Sequence, residues 1–383
     1  MIRIKNIHII DKYTDIVDDV LIAGEKIELI GKEKIDARLQ GSEVEIIDGE
    51  GKYLSPSFVD LHFHLRNPGQ EHKQTFEEAS DACIRGGYTK VVAMANTVPI
   101  VDSIERIEMV ERGMQNLPLE VVQTSAVSVD LRGQQVVDFE NLRKKTFVFS
   151  DDGRNVDRED VMEQALLKSK ELDFMILDHD EPESEMVIRN IELARKTGGR
   201  LHFCHISKKE SIEAIVKAKE DGLNVSFEFS PHHIFSKNLD YRVNPPIGNE
   251  EDNAAILQAI KDGKVDAIAT DHAPHTAEDK QKGAPGIANI ETAFGMVRKI
   301  FADENISLQT QITLMSNNPS EMLRVDNRIR EGARADLVIF NDEIYPIDSS
   351  RFVTRSKNTP FDDWMARGKV EYTFVGGVPY KNF

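Results

Sequence analysis

The residues of this chain best suited to chemistry are histidines and aspartates that end apolar runs. Phe58-Val-Asp60-Leu-His62-Phe-His64-Leu-Arg66-Asn-Pro68-Gly69 begins as an apolar stretch and finishes in a turn. Side chains two apart on a strand face the same way, so His62 and His64 point together and can take one divalent cation between them. Arg66 shares their parity if the strand direction persists, which sets a fixed cation beside that metal. Asp151-Asp152-Gly153, His179, His205 and Asp271 end four further runs in the same manner. The His-x-His pair alone is a weak motif, as compatible with an ordinary strand end as with a ligand pair. Metal-type side chains at every one of these run ends are a much more specific signal. A single catalytic zinc usually keeps three protein ligands and an open position. Four histidines with two aspartates therefore fit two cations bridged by a carboxylate and a hydroxide. Imidazole with carboxylate suits zinc, with manganese or cobalt as alternatives. Water on such a cation becomes nucleophilic near neutral pH, and a second cation polarises the bond it attacks, so the natural chemistry is hydrolysis or its reversal.

The other histidines sort by parity. His202 lies three residues before His205 and is expected to face the helix layer. Cys204 is expected to point away from His205 as buried filler. His232 and His233 follow Pro231 and read as structural or hydrogen-bonding residues. His272 is expected to turn aside, His275 to reach a substrate, and His8 and His72 to lie at the surface.

The elements that must carry these residues follow from the pattern of apolar runs. Residues 1–54 read as short strands and turns, with no helix expected before residue 70. From Phe58 onward strands alternate with amphipathic stretches. Strands are expected at Phe58–His64, Thr89–Ala95, Leu119–Ala126, Thr146–Asp151, Phe174–His179, Arg200–His205, Leu223–Phe229 and Val265–Asp271. Helical stretches at Phe76–Arg85, Ser103–Met114, Arg158–Glu171, Glu185–Lys196, Lys208–Glu220 and Glu251–Lys261 separate them, with glycines where C-caps belong. This is the pattern and size of a (β/α)8 TIM barrel, in which all strand ends bearing candidate ligands share one face. An open doubly wound sheet is the alternative, but no GxGxxG follows a strand. Helical segments at Asn289–Phe301 and Ser307–Asn317 complete the barrel. Strand pattern returns at 329–340 and 370–375, so both chain ends are expected to form one small β domain. The expected division is residues 1–54 and 326–383 for that domain and 55–325 for the barrel.

Composition narrows the class. The 383 residues carry 48 Lys+Arg against 66 Asp+Glu, a net charge of −18, which disfavours nucleic-acid or anionic-membrane surfaces. A local arginine still suffices for a small anionic substrate. Cys83 and Cys204, the only cysteines, sit in apolar contexts and point to a reducing compartment without a disulfide framework. No apolar h-region opens the chain and no run reaches the ~20 residues of a membrane span. A cytoplasmic location is expected.

Taken together, these residues resemble the cyclic amidohydrolases, and most closely the bacterial type I dihydroorotases. The carriers span nearly the whole chain: 60–69, Asn96-Thr97, 149–153, Asp178-His179, 204–207, 231–233, Val243-Asn-Pro-Pro246, Ala269-Thr-Asp-His-Ala-Pro-His275, Ala284-Pro-Gly286 and Ser356-Lys-Asn-Thr-Pro360. The resemblance implies reversible closure of N-carbamoyl-L-aspartate to L-dihydroorotate plus water, in pyrimidine synthesis. It implies two zinc ions per subunit, with His62, His64 and Asp271 on one, His179 and His205 on the other, and Asp152 with a hydroxide as bridge. Asp271 would be the general acid and base. Arg66, Asn96 and His275 would hold the substrate carboxylate, and Asn244 with the backbone near Pro285 and Gly286 the ring amides. Hydantoinases and allantoinases use a carbamylated lysine as bridge, and residues 146–153 offer none at the strand end. The sequence departs from the family pattern at Ser57, Ala95, Val98 and Gly248, and in a shortened connection after His179, the side where the family has its usual cover. Partner expectations are a homodimer and an association with aspartate transcarbamoylase. The competing readings are a hydantoinase- or allantoinase-like hydrolase and a non-catalytic companion of the transcarbamoylase.

Overall fold

The computed structural model describes residues 1–382. Alternating isoleucines build the first layer. Strands β1 (Ile2–Ile10), β2 (Asp15–Ala23) and β3 (Lys26–Ile30) form an antiparallel meander, and β4 (Glu45–Asp48) and β5 (Tyr53–Pro56) add in parallel to β1. Ile2, Ile4, Ile7 and Ile9 pack with Val20, Ile22 and Leu54 into one core. A helix, α1 (Lys32–Leu39), interrupts this region, where the sequence led us to expect none. Its stretch Lys-Glu-Lys-Ile-Asp-Ala-Arg-Leu carries only two apolar anchors a turn apart, Ile35 and Leu39. Both are buried against Leu21, so tertiary packing rather than an amphipathic stripe holds it.

The chain then winds a barrel. In order come β6 (Phe58–Phe63), α2 (Phe76–Gly86), β7 (Tyr88–Ala93), α3 (Ile104–Met114), β8 (Glu120–Gln123), α4 (Phe139–Leu142), β9 (Val148–Phe149) and α5 (Glu159–Leu172). These are followed by β10 (Met175–Asp178), α6 (Glu183–Thr197), β11 (Arg200–Phe203), α7 (Lys209–Glu220), β12 (Val225–Phe229), α8 (Pro231–Phe235), α9 (Glu250–Lys261) and β13 (Ala267–Ile268). The strands pair in parallel as two arcs, β6-β7-β8 and β9 to β13. Bridges Ser125–Phe149 and Phe63–His272 join the arcs at both seams and complete the ring. Apart from β8, whose Glu120 is exposed, the barrel strands are largely buried on both faces, as parallel strands under helices must be. Val59, Leu61, Val92, Met94, Met175, Leu177 and Cys204 fill the interior. Phe58, Val91, Phe149, Phe174, Phe203 and Phe227 pack outward against the helices.

After the short helix α10 (Ala277–Gln281), α11 (Ala293–Asp303), α12 (Leu308–Ile312), a π turn at Thr313–Asn317 and α13 (Asn318–Met322) close the barrel wall. Strand β14 (Leu337–Phe340) returns to the first layer, pairing antiparallel with β5. After the hairpin β15 (Ile344–Pro346) and β16 (Met365–Arg367), β17 (Val370–Val375) and β18 (Val378–Lys381) extend that sheet beyond β14. Both chain ends thus share one sheet beside the barrel.

Candidate active site

Strict alternation does not bring the candidate ligands together; backbone irregularities at the strand ends do. In β6, Val59 and Leu61 face inward, so His62 should face out. The β6–β7 register shifts between Asp60 and Phe63, and beyond that bulge His62 lies inside while Phe63 packs outward, its ring stacked on His272 at 5.0 Å. Asp60, fully buried, accepts hydrogen bonds from Thr270 N (2.8 Å), Thr270 Oγ1 (2.5 Å) and His62 N (3.2 Å). It thereby ties the end of β6 to the segment carrying Asp271. Arg66, His205 and Asp271 all lie just past strand ends and have left-handed backbones, with φ of 64°, 39° and 47°. Such conformations cost a non-glycine residue of order 1 kcal/mol or more and cluster at functional sites. Arg66 therefore enters the site through a left-handed turn and not, as parity suggested, by prolonging the strand.

Five side chains converge around Asp152. Its Oδ1 lies 3.2 Å from His62 Nε2, 3.2 Å from His179 Nδ1 and 3.5 Å from His205 Nε2. Its Oδ2 lies 3.4 Å from His64 Nε2. Asp271 Oδ1 is 3.0 Å from His64 Nε2 and 3.8 Å from His62 Nε2. His179 Nδ1 and His205 Nε2 stand 3.1 Å apart. Ligand atoms fall into two groups that share one carboxylate: His62, His64 and Asp152, and Asp152, His179 and His205. Burial alone would raise the Asp152 pKa, but the surrounding imidazoles overcome it and hold the carboxyl well below its usual range. Asp271, equally buried, is held low chiefly by the His64 hydrogen bond and the neighbouring histidines. The same pairing with Asp152 outweighs burial and lifts His62 well above an ordinary imidazole, while desolvation lowers His205.

The donor set fits cations. Buried imidazole nitrogens face one another and two ionised carboxylates, and neither ring nitrogen of His62 has a hydrogen-bond partner among the described residues. Such a cluster satisfies itself only around positive charge. Asn96 Oδ1 sits 3.2 Å from His64 Nδ1, which keeps the proton on that nitrogen and leaves Nε2 for the site.

Above the cluster opens a cleft of about 200 Å³. It is lined by Arg66, Asn96, Asn244, His275, Pro285 and Gly286 together with His64, Asp152, His179 and Asp271. Arg66 donates from Nε to Pro274 O (3.1 Å), and its NH2 lies 3.0 Å from His275 Nε2. Burial and the Arg66 charge push the His275 pKa down to about 3, so this imidazole is a neutral acceptor. Burial lowers the Arg66 pKa only to about 10, and the guanidinium stays charged at neutral pH. Asn244 Nδ2 donates to Glu181 Oε2 (2.9 Å) and lies 3.3 Å from His179 Nε2. Lys280 Nζ binds the carbonyls of Arg242, Ala284 and Gly286 at 2.8, 3.0 and 3.0 Å, pinning the Asn244 loop to the Pro285-Gly286 loop. Lys280, Glu181 and Asp60 were missed by spacing arguments, since each acts on backbone or on another side chain and belongs to no repeating pattern.

Two orientations differ from expectation. His202 and Cys204 do not face the helix layer. Leu201 and Phe203 do, and His202 pairs in register with inward-facing Leu177. The parity argument assumed that the strand ran on to His205. It ends at Phe203, and the left-handed turn at His205 brings that side chain to the inner side as well. His272 does turn aside: Asn289 N and Ile290 N donate to its Nδ1 (3.2 Å each), and its Nε2 faces Gln74 Oε1 at 3.0 Å. His232 and His233 are fully buried beside the cluster, and desolvation lowers both, His232 to about 4. His8 is half-buried, its Nε2 2.5 Å from Asp15 Oδ1, and His72 is exposed.

Residues 51–185 match the dihydro-orotase-like family model, and residues 177–379 match the amidohydrolase family model. A dihydroorotase from Clostridium botulinum is 38% identical, over 99% of this chain and 99% of that protein. One from Caldanaerobacter subterraneus is 35% identical, over 90% of this chain and 89% of that protein. Among solved structures, an L-hydantoinase (dihydropyrimidinase) from Arthrobacter aurescens superimposes with a TM-score of 0.89 at 20% identity, covering 100% of this chain and 96% of that one. A dihydropyrimidinase from Brevibacillus agri gives 0.87 at 20% identity, covering 99% and 95%. These structural likenesses speak to the barrel and its flanking sheet.

Proposed function

The chain belongs to the dihydroorotase family of amidohydrolases, and from that premise we propose that it catalyses the reversible cyclisation of N-carbamoyl-L-aspartate to L-dihydroorotate and water, a step of pyrimidine synthesis, with two zinc ions at the Asp152 cluster. The observation that carries this reading is Asp152 set between two histidine pairs, below a cleft that holds one buried, charged arginine.

His62, His64 and Asp271 would hold one cation, His179 and His205 the other, with Asp152 between them. When bound, the cations supply a water nucleophile ionised near neutral pH and polarise the carbonyl it attacks. The protein's own residues do the rest. Arg66, anchored on Pro274 O, offers its remaining N–H groups to the substrate carboxylate. Asn96 lines the same side of the cleft and steadies His64. Asn244 and the Gly286 backbone, held by Lys280, face the ring amides. In the hydrolytic direction, oxygen adds to the ring carbonyl carbon and the C–N bond breaks. Asp271, ionised in the resting site, takes the proton released by the nucleophile and delivers it to the departing nitrogen. Ring closure is the reverse.

A carboxylate bridge in place of lysine, and an arginine in the cleft, favour an acid ring over the neutral rings of hydantoinases. No helix among the described residues is long and apolar enough to cross a membrane, and we place the enzyme in the cytoplasm as a homodimer. Spectrophotometric assay of dihydroorotate hydrolysis, before and after chelation, tests the proposal. Turnover that chelator abolishes and zinc restores is expected. Brisk hydantoin or allantoin turnover with none on dihydroorotate would refute it, as would purified protein holding well under one zinc per chain.

A further inference from the structure

Beneath the cleft the barrel interior holds a polar cluster for which neither the substrate nor the shared carboxylate gives a reason. In β12, Phe227 and Phe229 pack outward, so Ser226 and Glu228 point into the barrel. Glu228 is completely buried. Its Oε2 is 3.1 Å from His202 Nε2 and its Oε1 is 3.8 Å from His62 Nδ1. His202 Nδ1 in turn lies 2.8 Å from Ser226 Oγ. Both Glu228 oxygens, His202 Nε2 and His62 Nδ1 lack a well-formed hydrogen bond among the described residues. None of Ser226, His202 and Glu228 lines the cleft.

An imidazole that lends its Nε2 lone pair to a cation carries its proton on Nδ1, and a buried N–H needs an acceptor. Two side chains that could accept lie within 4.8 Å of His62, Glu228 and Cys204, and Glu228 Oε1, 3.8 Å from Nδ1, needs only a small approach to do so. A thiol is a weak acceptor, and burial pushes the Cys204 thiol up. The carboxylate is the stronger partner. A carboxylate in this apolar barrel is costly without compensation, and His202 supplies it. The arrangement that satisfies every polar atom has the Ser226 hydroxyl donating to His202 Nδ1, His202 Nε2–H donating to one Glu228 oxygen, and His62 Nδ1–H donating to the other.

We propose that Glu228, backed by His202 and Ser226, is a positioning residue for His62: it accepts a hydrogen bond from Nδ1–H and so fixes the tautomer and ring orientation that turn Nε2 toward Asp152. The inference rests on the reading of His62 as a metal ligand. It makes the strand-seven carboxylate part of the metal site without contact with either metal or substrate. Groups in this role typically tune metal affinity about 10–100-fold.

The test compares Glu228→Gln and Glu228→Leu with His62→Ala and Cys204→Ala in the full chain. Zinc content, zinc affinity by chelator competition and the visible spectrum of the cobalt-substituted protein are read for each. Glu228→Leu is expected to weaken one of the two zinc sites about 10–100-fold and to shift the cobalt bands. Glu228→Gln, whose amide oxygen still accepts a hydrogen bond, should lose less, and it keeps the test usable if the leucine variant does not fold. Cys204→Ala should leave affinity and spectrum unchanged. Wild-type zinc affinity and cobalt bands in both Glu228 variants, alongside a lost zinc in His62→Ala, would overturn the proposal alone. A full zinc complement in His62→Ala would instead overturn the ligand reading beneath it. Three zinc ions per chain, one of them lost in both Glu228→Leu and Cys204→Ala, would make the cluster a cation site in its own right and overturn the positioning role.

Discussion

Replacing Arg66 by lysine isolates the guanidinium fork from everything else at that position. Arg66 is 8% exposed and its backbone sits at φ 64°, a conformation equally unfavourable for lysine, so the exchange leaves backbone strain unchanged. Positive charge is retained as well. What disappears is planarity: Nε can no longer hold Pro274 O while the terminal nitrogens meet a carboxylate. Hydrogen bonds to charged groups contribute about 1.5–3 kcal/mol each, and lysine can keep one of the two a fork would make. The expected loss is therefore about 1.5–3 kcal/mol, or roughly 10–150-fold in kcat/KM for dihydroorotate, most of it in KM. Zinc content should not change, since Arg66 bonds Pro274 O and His275, neither of them a candidate metal ligand. Dihydrouracil, the same ring without a carboxylate, serves as a competitive ligand and should bind Arg66→Lys about as well as wild type. An unchanged KM for dihydroorotate, or an equal loss for dihydrouracil, would refute the carboxylate role.

Two further outcomes follow from the geometry. Asp271→Asn keeps a ligand oxygen but removes the proton acceptor. It should retain most of its metal and lose on the order of 10²–10⁴ in kcat, and near wild-type turnover would remove Asp271 from its role. Glu291 is half-buried, and desolvation raises its pKa to about 7 although Val353 N donates to it at 2.9 Å and Arg85 NH1 lies 3.6 Å away. Its folded form holds a proton that the unfolded chain releases above about pH 4.5, so its contribution to stability falls as pH rises from there to about 7. Glu291→Gln should thus gain in melting temperature relative to wild type between pH 5 and pH 8. A constant difference across that range would sink the argument.

The barrel was legible because its strands are short apolar runs spaced by amphipathic helices, and hydrophobic periodicity is the strongest signal a sequence carries. Asp152 and the four histidines stood out because each ends such a run. The mechanism that gathers them did not. A bulge after Asp60 and left-handed turns at Arg66, His205 and Asp271 are backbone events, and no residue type announces them. Assuming unbroken alternation sent His202 and Cys204 to the wrong side. Glu228 had one readable sign: in a parallel barrel both strand faces are buried, so the lone acid in Val-Ser-Phe-Glu-Phe had to be a buried carboxylate with a partner. Helix α1 carried too few apolar residues to register.

The left-handed backbones at Arg66, His205 and Asp271 also bear on how this activity can be lost. At each of them glycine would relieve backbone strain, while every side chain present costs folding stability for the sake of the site. Selection for stability and selection for turnover therefore pull these positions in opposite directions. In a lineage where turnover ceased to matter, relief of the backbone strain at these positions would no longer be opposed by selection for the site. The descendant would keep the barrel and the flanking sheet while shedding the proposed substrate anchor, one proposed ligand and the proposed base. Under the proposed roles, arginine, histidine and aspartate at those turns trade backbone strain for chemistry.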